Sequence, residues 1–243
     1  MNIIWIPITP STNSLLKEMT TKETLPEGTC LVTDNQTSGR GQTNNSWESE
    51  VGKNLCFSIV FYPSFLPIQS YFLLSKAVAL GVYDALSIHI KELTLKWPND
   101  IYYQEKKLGG VLFENNITES KISQSIVGIG INVNQEFFLS DAPNPISLKQ
   151  LTGKNYFLDE LLRNILSSIL FRYEELKKGK GEQIETNYFQ ALYRREAYHF
   201  YQDKQGIFSA KIEKVDNSGF LYLITKEGEK RKYAFKEVIA LRQ

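Results

Sequence analysis

Lys96-Trp97-Pro98-Asn99-Asp100 is followed, after residues 101–106, by Lys107-Leu108-Gly109-Gly110. Pro98 cannot donate to a sheet ladder and biases Trp97 toward extended backbone, so the chain turns out of a strand here. Asn99 and Asp100 are then presented at a strand end, where an amide and a carboxylate can meet a nucleotide or its metal. The competing reading is a plain Pro-Asn-Asp turn in which both side chains satisfy their own backbone. Lys107 can point inward to a negatively charged group, while Gly109 and Gly110 let a ligand lie against the strand. As a hairpin residue beside Lys106 it is equally readable as an ordinary exposed lysine.

Working outward, residues 93–97, 101–103, 108–114 and 125–133 read as strands, with Gln104-Glu105-Lys106-Lys107 as the polar turn of a hairpin. Residues 3–6, 30–33 and 55–62 are rich in β-branched and aromatic residues and predict three earlier strands. Ser11-Thr12-Asn13 stands before Leu15, Leu16 and Met19 at helical spacing, so a hydroxyl or amide can cap a helix. Leu74, Ala77, Val78, Gly81, Val82, Ala85 and Leu86 follow the i, i+3, i+4 rule and predict a longer helix against a sheet. Leu161, Leu162, Ile165, Leu166, Ile169, Leu170 and Tyr173 predict another, and Ile184, Tyr188 and Leu192 a third after the Gly179-Lys180-Gly181 break.

Beyond about Arg195 the texture changes. Strand-like residues 197–201, 207–215, 220–225 and 231–235 alternate with Asp/Asn/Gly-bearing turns. That spacing predicts a small barrel of roughly fifty residues. The expectation is an α+β domain over residues 1–194, a mixed β-sheet flanked by helices, with a β appendage over residues 195–243.

Bulk properties narrow the classes. Of 243 residues, 42% are hydrophobic and 23% charged, an ordinary globular composition. Twenty-eight basic against twenty-seven acidic residues give a net charge of +1, which offers no basic footprint for DNA. The apolar start (Ile3, Ile4, Trp5, Ile6) lacks a basic flank and ends at Thr9-Pro10-Ser11, and nothing reaches the ~18 apolar residues of a membrane span. Cys30 and Cys56 sit in strand-like runs and are expected as buried free thiols in a reducing cytoplasm. His89 and His199 lack metal-ligand spacing.

Two further segments can carry chemistry. Thr37-Ser38-Gly39-Arg40-Gly41-Gln42-Thr43-Asn44-Asn45-Ser46-Trp47 lets backbone approach an anion while the Arg40 guanidinium clamps it. It is no dinucleotide fingerprint, because Asn44 occupies the third glycine position, and by itself it reads as a surface loop. Val127-Gly128-Ile129-Gly130-Ile131-Asn132 suits a central strand closely approached by a ligand and ending in a polar reader, or a glycine-weakened core strand.

Taken in order and spacing, Ser11-Thr12-Asn13, Gln36, Gly39-Arg40-Gly41, Trp47, residues 96–100, residues 107–110 and Gly130-Ile131-Asn132 resemble the catalytic domain of biotin–protein ligases over roughly residues 1–190. The resemblance implies the fold shared with class II aminoacyl-tRNA synthetases and biotin synthetases, and an SH3-like C-terminal barrel. It implies ATP and Mg²⁺ with biotin as substrate, biotinyl-5′-AMP as intermediate, and transfer to a lysine of a biotin carboxyl carrier protein domain. Arg40 and Lys107 are implied as the catalytic pair. Ser11, Thr12, Asn13, Gln36, Gly39, Arg40, Gly41, Gln42, Lys107 and Gly110 are implied at biotin, and Arg40, Trp47, Asn99, Asp100, Lys107 and Asn132 at ATP. Asp100 is implied as the Mg²⁺ contact, and Lys236 as a C-terminal candidate for ATP or carrier. A homodimer is a further expectation.

The glycine–arginine loop departs from the family's commoner pattern, with Gln42, Asn44 and Asn45 where a basic residue, a glycine and an arginine usually stand. Looser retention of the adenylate is therefore expected. Because Ser11-Thr12-Asn13 begins so early, an N-terminal winged helix-turn-helix is not expected, and DNA is not an expected partner. A lipoate ligase shares the implied fold but usually carries an R-R-x-S-G-G-G-x-V-x-H-D stretch that is absent here. A non-enzymatic adapter would be expected to have lost Arg40 or Lys107, and both are present.

Overall fold

A computed structural model describes residues 1–42, 45–139 and 144–241; the expectation placed on Asn44 falls outside them. Seven strands form one mixed sheet: β1 (Ile3–Thr9), β2 (Cys30–Gln36), β3 (Leu55–Phe61), β4 (Leu93–Lys96), β5 (Asp100–Tyr103), β6 (Lys106–Thr118) and β7 (Lys121–Ile131). Their spatial order is β1-β2-β3-β7-β6-β5-β4. Only β1 and β2 run parallel, and every other pair is antiparallel. Five helices accompany it: α1 (Thr12–Lys22), α2 (Phe72–Ser87), α3 (Leu148–Thr152), α4 (Leu158–Lys177) and α5 (Gly181–Ala191).

Every residue of β3 is buried, because both faces of the central strands are covered. On one face Leu55, Phe57, Ile59 and Phe61 join Val127, Ile129 and Ile131 beneath α2, α4 and α5 in the main core. Helices α2 and α4 meet almost backbone to backbone at Gly81, where an added Cβ would lie 2.4 Å from Ile169 Cα. The opposite face is built from smaller residues in register. Cys56, Gly130, Gly110 and Asp100 lie side by side in one row, and Ser58, Gly128 and Leu112 form the next. Val60, Ile126 and Glu114 form a third row, of which Val60 and Ile126 pack with Leu16, Leu25 and Leu31 under α1. The main core thus claims one face, and the glycine-bearing rows leave room on the other.

Helix α1 begins as the sequence predicts, with the Ser11 side chain accepting from Ser14 N–H at 3.5 Å. The β5–β6 hairpin is tighter than expected. Tyr103 pairs with Lys106 across Gln104 and Glu105, so Lys106 and Lys107 belong to β6 and not to the turn. Gln104 takes the left-handed backbone (φ 50°) that this closure needs. Trp97 lies past the end of β4. Helix α3 was not anticipated; a reciprocal Ser147–Gln150 capping box holds this single turn and a half, too short for a periodic signal.

The C-terminal strands β8 (His199–Asp203), β9 (Gly206–Val215), β10 (Leu221–Thr225), β11 (Lys230–Tyr233) and β12 (Ile239–Ala240) form an antiparallel sheet ordered β11-β10-β9-β8-β12. Polar anchors fasten it to the larger sheet and its helices. Lys76, buried on α2, donates to Val215 O at 2.8 Å and Asn217 Oδ1 at 2.9 Å, with Glu185 at 3.7 Å. Burial lowers its pKa, and the Glu185 and Asp216 charges oppose that shift. Trp97 Nε1 donates to Gly219 O at 3.0 Å. Arg194 forks onto Glu105 and also donates to Leu241 O.

Cys30 and Cys56 are buried free thiols, as predicted, and burial pushes both pKa values up. Among the described residues no helix is long and apolar enough to cross a membrane.

Candidate active site

A cleft of about 360 Å³ opens over the glycine-bearing face, between the start of α1, the Gly39–Trp47 loop and the C-terminal sheet. That loop is an arm with its own pairing: Trp47 N–H donates to Gly39 O at 2.9 Å and Gly41 N–H to Asn45 O at 2.7 Å. Arg40 and Ser46 bridge between these bonds. The Arg40 side chain is therefore carried on a paired ribbon over the cleft. Gly39 is required by space, since an added Cβ would lie 2.5 Å from Trp47 O and 2.8 Å from Gln36 Nε2.

The floor is made by Gly128 and Gly130, though in a way the sequence did not indicate. Chain atoms fill the approaches: an added Cβ on Gly128 would meet Asn13 Oδ1 at 2.3 Å, and one on Gly130 the Trp47 ring at 2.4 Å. The glycines admit the protein's own amide and indole, which then form the walls of the cleft.

At one end the groups are neutral and, Gln36 apart, buried. Asn13 Nδ2 donates to Glu114 Oε2 at 2.7 Å, which leaves Asn13 Oδ1 to accept from Ser58 Oγ at 2.6 Å. Ser58 Oγ is also 2.7 Å from Thr12 Oγ1, and the Thr12 hydroxyl donates to Gln36 Oε1 at 3.2 Å. Thr12 N–H donates to Gln36 Oε1 at 3.0 Å. Among the described residues Gln36 Nε2 has no protein acceptor. The Asn13 and Gln36 amides are thereby oriented, in the manner that reading a small polar ring demands.

At the other end the groups are charged. Lys107 Nζ lies 2.7 Å from Asp100 Oδ1 and 5.8 Å from the centre of the Trp47 ring. Gly110 makes room for this pair, as an added Cβ would sit 3.3 Å from Asp100 Oδ1 and 3.4 Å from Lys107 Nζ. Between the two ends, Arg40 Nη2 reaches Glu114 Oε2 at 3.1 Å. Lys96, to which sequence alone assigned no role, also lines the cleft. Its Nζ is 3.2 Å from Tyr102 Oη and 4.4 Å from the centre of that ring. Burial lowers the Lys96 pKa, with the Asp100 charge opposing.

Most expected site residues converge. Ser11, Thr12, Asn13, Gln36, Arg40, Gly41, Gln42, Trp47, Asn99, Asp100, Lys107 and Gly110 line the cleft. Asn99 is partly committed, because its Nδ2 donates to Val111 O while Val111 N–H donates to Asn99 O at 3.0 Å. Asn132 departs from expectation. It is buried beyond the cleft lining, its Nδ2 donating to Ile146 O at 3.2 Å and its N–H to Leu108 O at 2.9 Å, so it staples β6 and α3 together. Trp97 is the post on which the second sheet rests, stacking edge-on against Phe235 at 6.2 Å; its peptide bond to Pro98 is cis.

Sequence reasoning missed Glu114, Ser58 and, Lys236 apart, the C-terminal contribution. Ser58 and Glu114 carry only a register signal, lying two and four positions along the strands from Cys56 and Gly110. From the C-terminal sheet come Tyr201, Ile212, Leu221 and Phe235, together with Lys236, whose backbone is left-handed (φ 71°). Asp100 is the one carboxylate among the described cleft-lining residues, and no described group of acids, histidines or cysteines makes a metal cage. A single carboxylate suits Mg²⁺ brought in on substrate phosphates, where most ligands are phosphate and water oxygens.

A glycine-floored cleft with a neutral polar end, a Lys107–Asp100 end and Arg40 between them suits a ligase that holds a small acid beside a nucleotide. The chain belongs to the Biotin/lipoate A/B protein ligase family, whose model matches residues 5–132. It is 30% identical to the bifunctional ligase/repressor BirA of Bacillus subtilis, over 96% of this chain and 72% of that protein. It is also 30% identical to the biotin–[acetyl-CoA-carboxylase] ligase of Mycobacterium tuberculosis, over 67% of this chain and 62% of that one. Among solved structures, the biotin protein ligase from Aquifex aeolicus in complex with biotin and ATP superposes with a TM-score of 0.81 at 29% identity, covering 100% of this chain and 99% of that one.

Proposed function

We propose that this chain is an ATP-dependent biotin–protein ligase that forms biotinyl-5′-AMP and transfers biotin to a lysine of a biotin carboxyl carrier protein domain. The observation that carries this reading is the polarity of the cleft: a neutral hydrogen-bonding end at Thr12, Asn13 and Gln36 with both amides oriented, and the Lys107–Asp100 pair at the other. A biotin ureido ring offers one carbonyl and two N–H groups and needs oriented partners. Its carboxylate lies a valeryl chain away and needs a cation. The relatives named for biotin and the neighbour solved with biotin and ATP support the same reading.

In this reading a biotin carboxylate oxygen attacks the α-phosphorus of ATP, the bond to the bridging oxygen breaks and pyrophosphate leaves. The lysine amine of the carrier then attacks the acyl carbon, releasing AMP. Carboxylate and triphosphate repel each other, so the chief task of the residues is to hold two anions together. Lys107 turns from Asp100 toward the carboxylate and α-phosphate, and Arg40 grips the adenylate from the arm above. Trp47 and Asn99 border the nucleotide. Asp100, once relieved of Lys107, would hold the magnesium that arrives with ATP, which would supply neutralisation of phosphate charge. Water is excluded by the C-terminal sheet at Tyr201 and Phe235. No enzyme nucleophile is required.

The test is pyrophosphate exchange into ATP, run separately with biotin and with lipoate, followed by labelling of a biotin carrier domain. Biotin-dependent exchange is the expected result. Exchange with lipoate alone would overturn the substrate, and none with either would favour an adapter. The same reading carries a cytoplasmic location and a homodimer, the latter checked by sedimentation at micromolar concentration.

A further inference from the structure

We infer that Glu114 is a positioning residue that ties the neutral end of the cleft to Arg40 with one charge, an inference that rests on the ligase reading above. Its carboxylate accepts from Asn13 Nδ2 through Oε2 at 2.7 Å, and from Arg40 Nη2 at 3.1 Å through Oε2 and 3.3 Å through Oε1. Asn13 belongs to the neutral end and Arg40 to the arm that closes on the adenylate, and they are joined nowhere else among the described contacts.

Three features make Glu114 more than a surface partner. It lies on β6 in the row beyond Leu112 and so faces the same side of the sheet as Gly110. Its side chain is only 25% exposed. It also fixes the Asn13 amide, whose Oδ1 accepts from Ser58 Oγ, and that orientation holds only if the acceptor at Nδ2 cannot itself donate. An ionised carboxylate meets that requirement from both of its neighbours, whereas an amide has one oxygen and one NH₂ to share between two donors. In the absence of substrate Glu114 also neutralises Arg40. When the adenylate phosphate arrives, Arg40 exchanges one anion for another at nearly the same place, and little reorganisation accompanies binding.

The consequence is coupling. Glu114→Gln should raise the KM for biotin about tenfold and speed release of biotinyl-AMP, with kcat for exchange changing less. Glu114→Asp, which keeps the charge, should recover most of the adenylate retention. A double-mutant cycle separates this from a merely structural role: Glu114→Gln should add little to adenylate release in an Arg40→Ala background. If the wild type exchanges pyrophosphate but Glu114→Gln leaves KM and adenylate release unchanged, or its effect adds fully to that of Arg40→Ala, the inference falls while the ligase reading stands. A wild type without exchange would instead overturn the ligase reading, and this inference with it.

Discussion

Lys107 Nζ sits 2.7 Å from Asp100 Oδ1 across the space that Gly110 leaves open, so the cation and the carboxylate expected to serve ATP neutralise each other in the absence of substrate. Both side chains are about a quarter exposed, and such a pair contributes about 0–1 kcal/mol to stability. Lys107→Ala should therefore keep its melting temperature within a few degrees. Biotin-dependent pyrophosphate exchange should fall by about 10²–10³-fold, the usual cost of one preorganised group facing developing charge. Near-normal exchange would remove Lys107 from the reaction.

The floor glycines give a steric prediction. Gly130→Ala places a methyl 2.4 Å from the Trp47 ring, which must swing out of the cleft. The strand backbone is regular here, so the fold should survive with a loss of about 1–3 kcal/mol. Titration of ATP by calorimetry should show markedly weaker binding; unchanged affinity would mean that Trp47 does not border the nucleotide.

In the arm, Gln42 and Asn45 line the cleft where positive charge would meet a phosphate. Asn45→Arg should slow biotinyl-AMP release several-fold, at a charge contribution of roughly 1 kcal/mol for a partly screened site. Filter-retention of labelled adenylate measures this. Faster or equal release would show that the neutral arm is already as retentive as a basic one.

Acid should loosen the second sheet. Burial raises the Glu105 pKa, but hydrogen bonds from Tyr193 and Arg194, with the Arg194 charge, outweigh it and hold the carboxyl below its ordinary value. A depressed folded pKa contributes stability above the unfolded value of about 4.3, and that contribution is lost as pH falls through the folded pKa. Denaturant titrations should show wild type more stable than Glu105→Gln at pH 7, with the difference shrinking toward pH 3. A constant difference would mean the Arg194 fork is not linked to protonation.

Helix packing supplies the last test. Gly81→Ala inserts a methyl 2.4 Å from Ile169 Cα, a backbone atom that cannot rotate aside. The α2–α4 pair must separate, and a loss of about 1–3 kcal/mol or more is expected by chemical denaturation.

Much of this was legible in the sequence, and the failures have physical causes. Residues 96–100 with 107–110 placed a turn, a lysine and a glycine strand correctly, because proline and glycine act locally. Lys107 was nonetheless put in a turn it does not occupy, since hairpin closure over Gln104 and Glu105 depends on a left-handed backbone that glutamine only tolerates. Asn132 is read as a ligand contact from its strand-end position, and its amide bond to Ile146, 14 residues on, is a pairing that the segment itself does not display. Glu114 and Ser58 were missed because their importance comes from register across β3, β7 and β6, a property of pairing that no single segment displays. The role of Trp97 as a support for Gly219 depends on a sheet more than a hundred residues away, and only the assembled fold shows it.

The paired floor of Gly128 and Gly130 also limits how this pocket can change over generations. The space above each glycine is already taken by Asn13 or Trp47, so no substitution there can enlarge the cavity, and any addition displaces a wall. Acceptance of bulkier acids must then arise from the rim, in the Gly39–Trp47 arm or the edge of the second sheet, while the floor stays as it is. Analogues extended toward that rim are the ones an altered enzyme could learn to use, and analogues thickened at the ring are not.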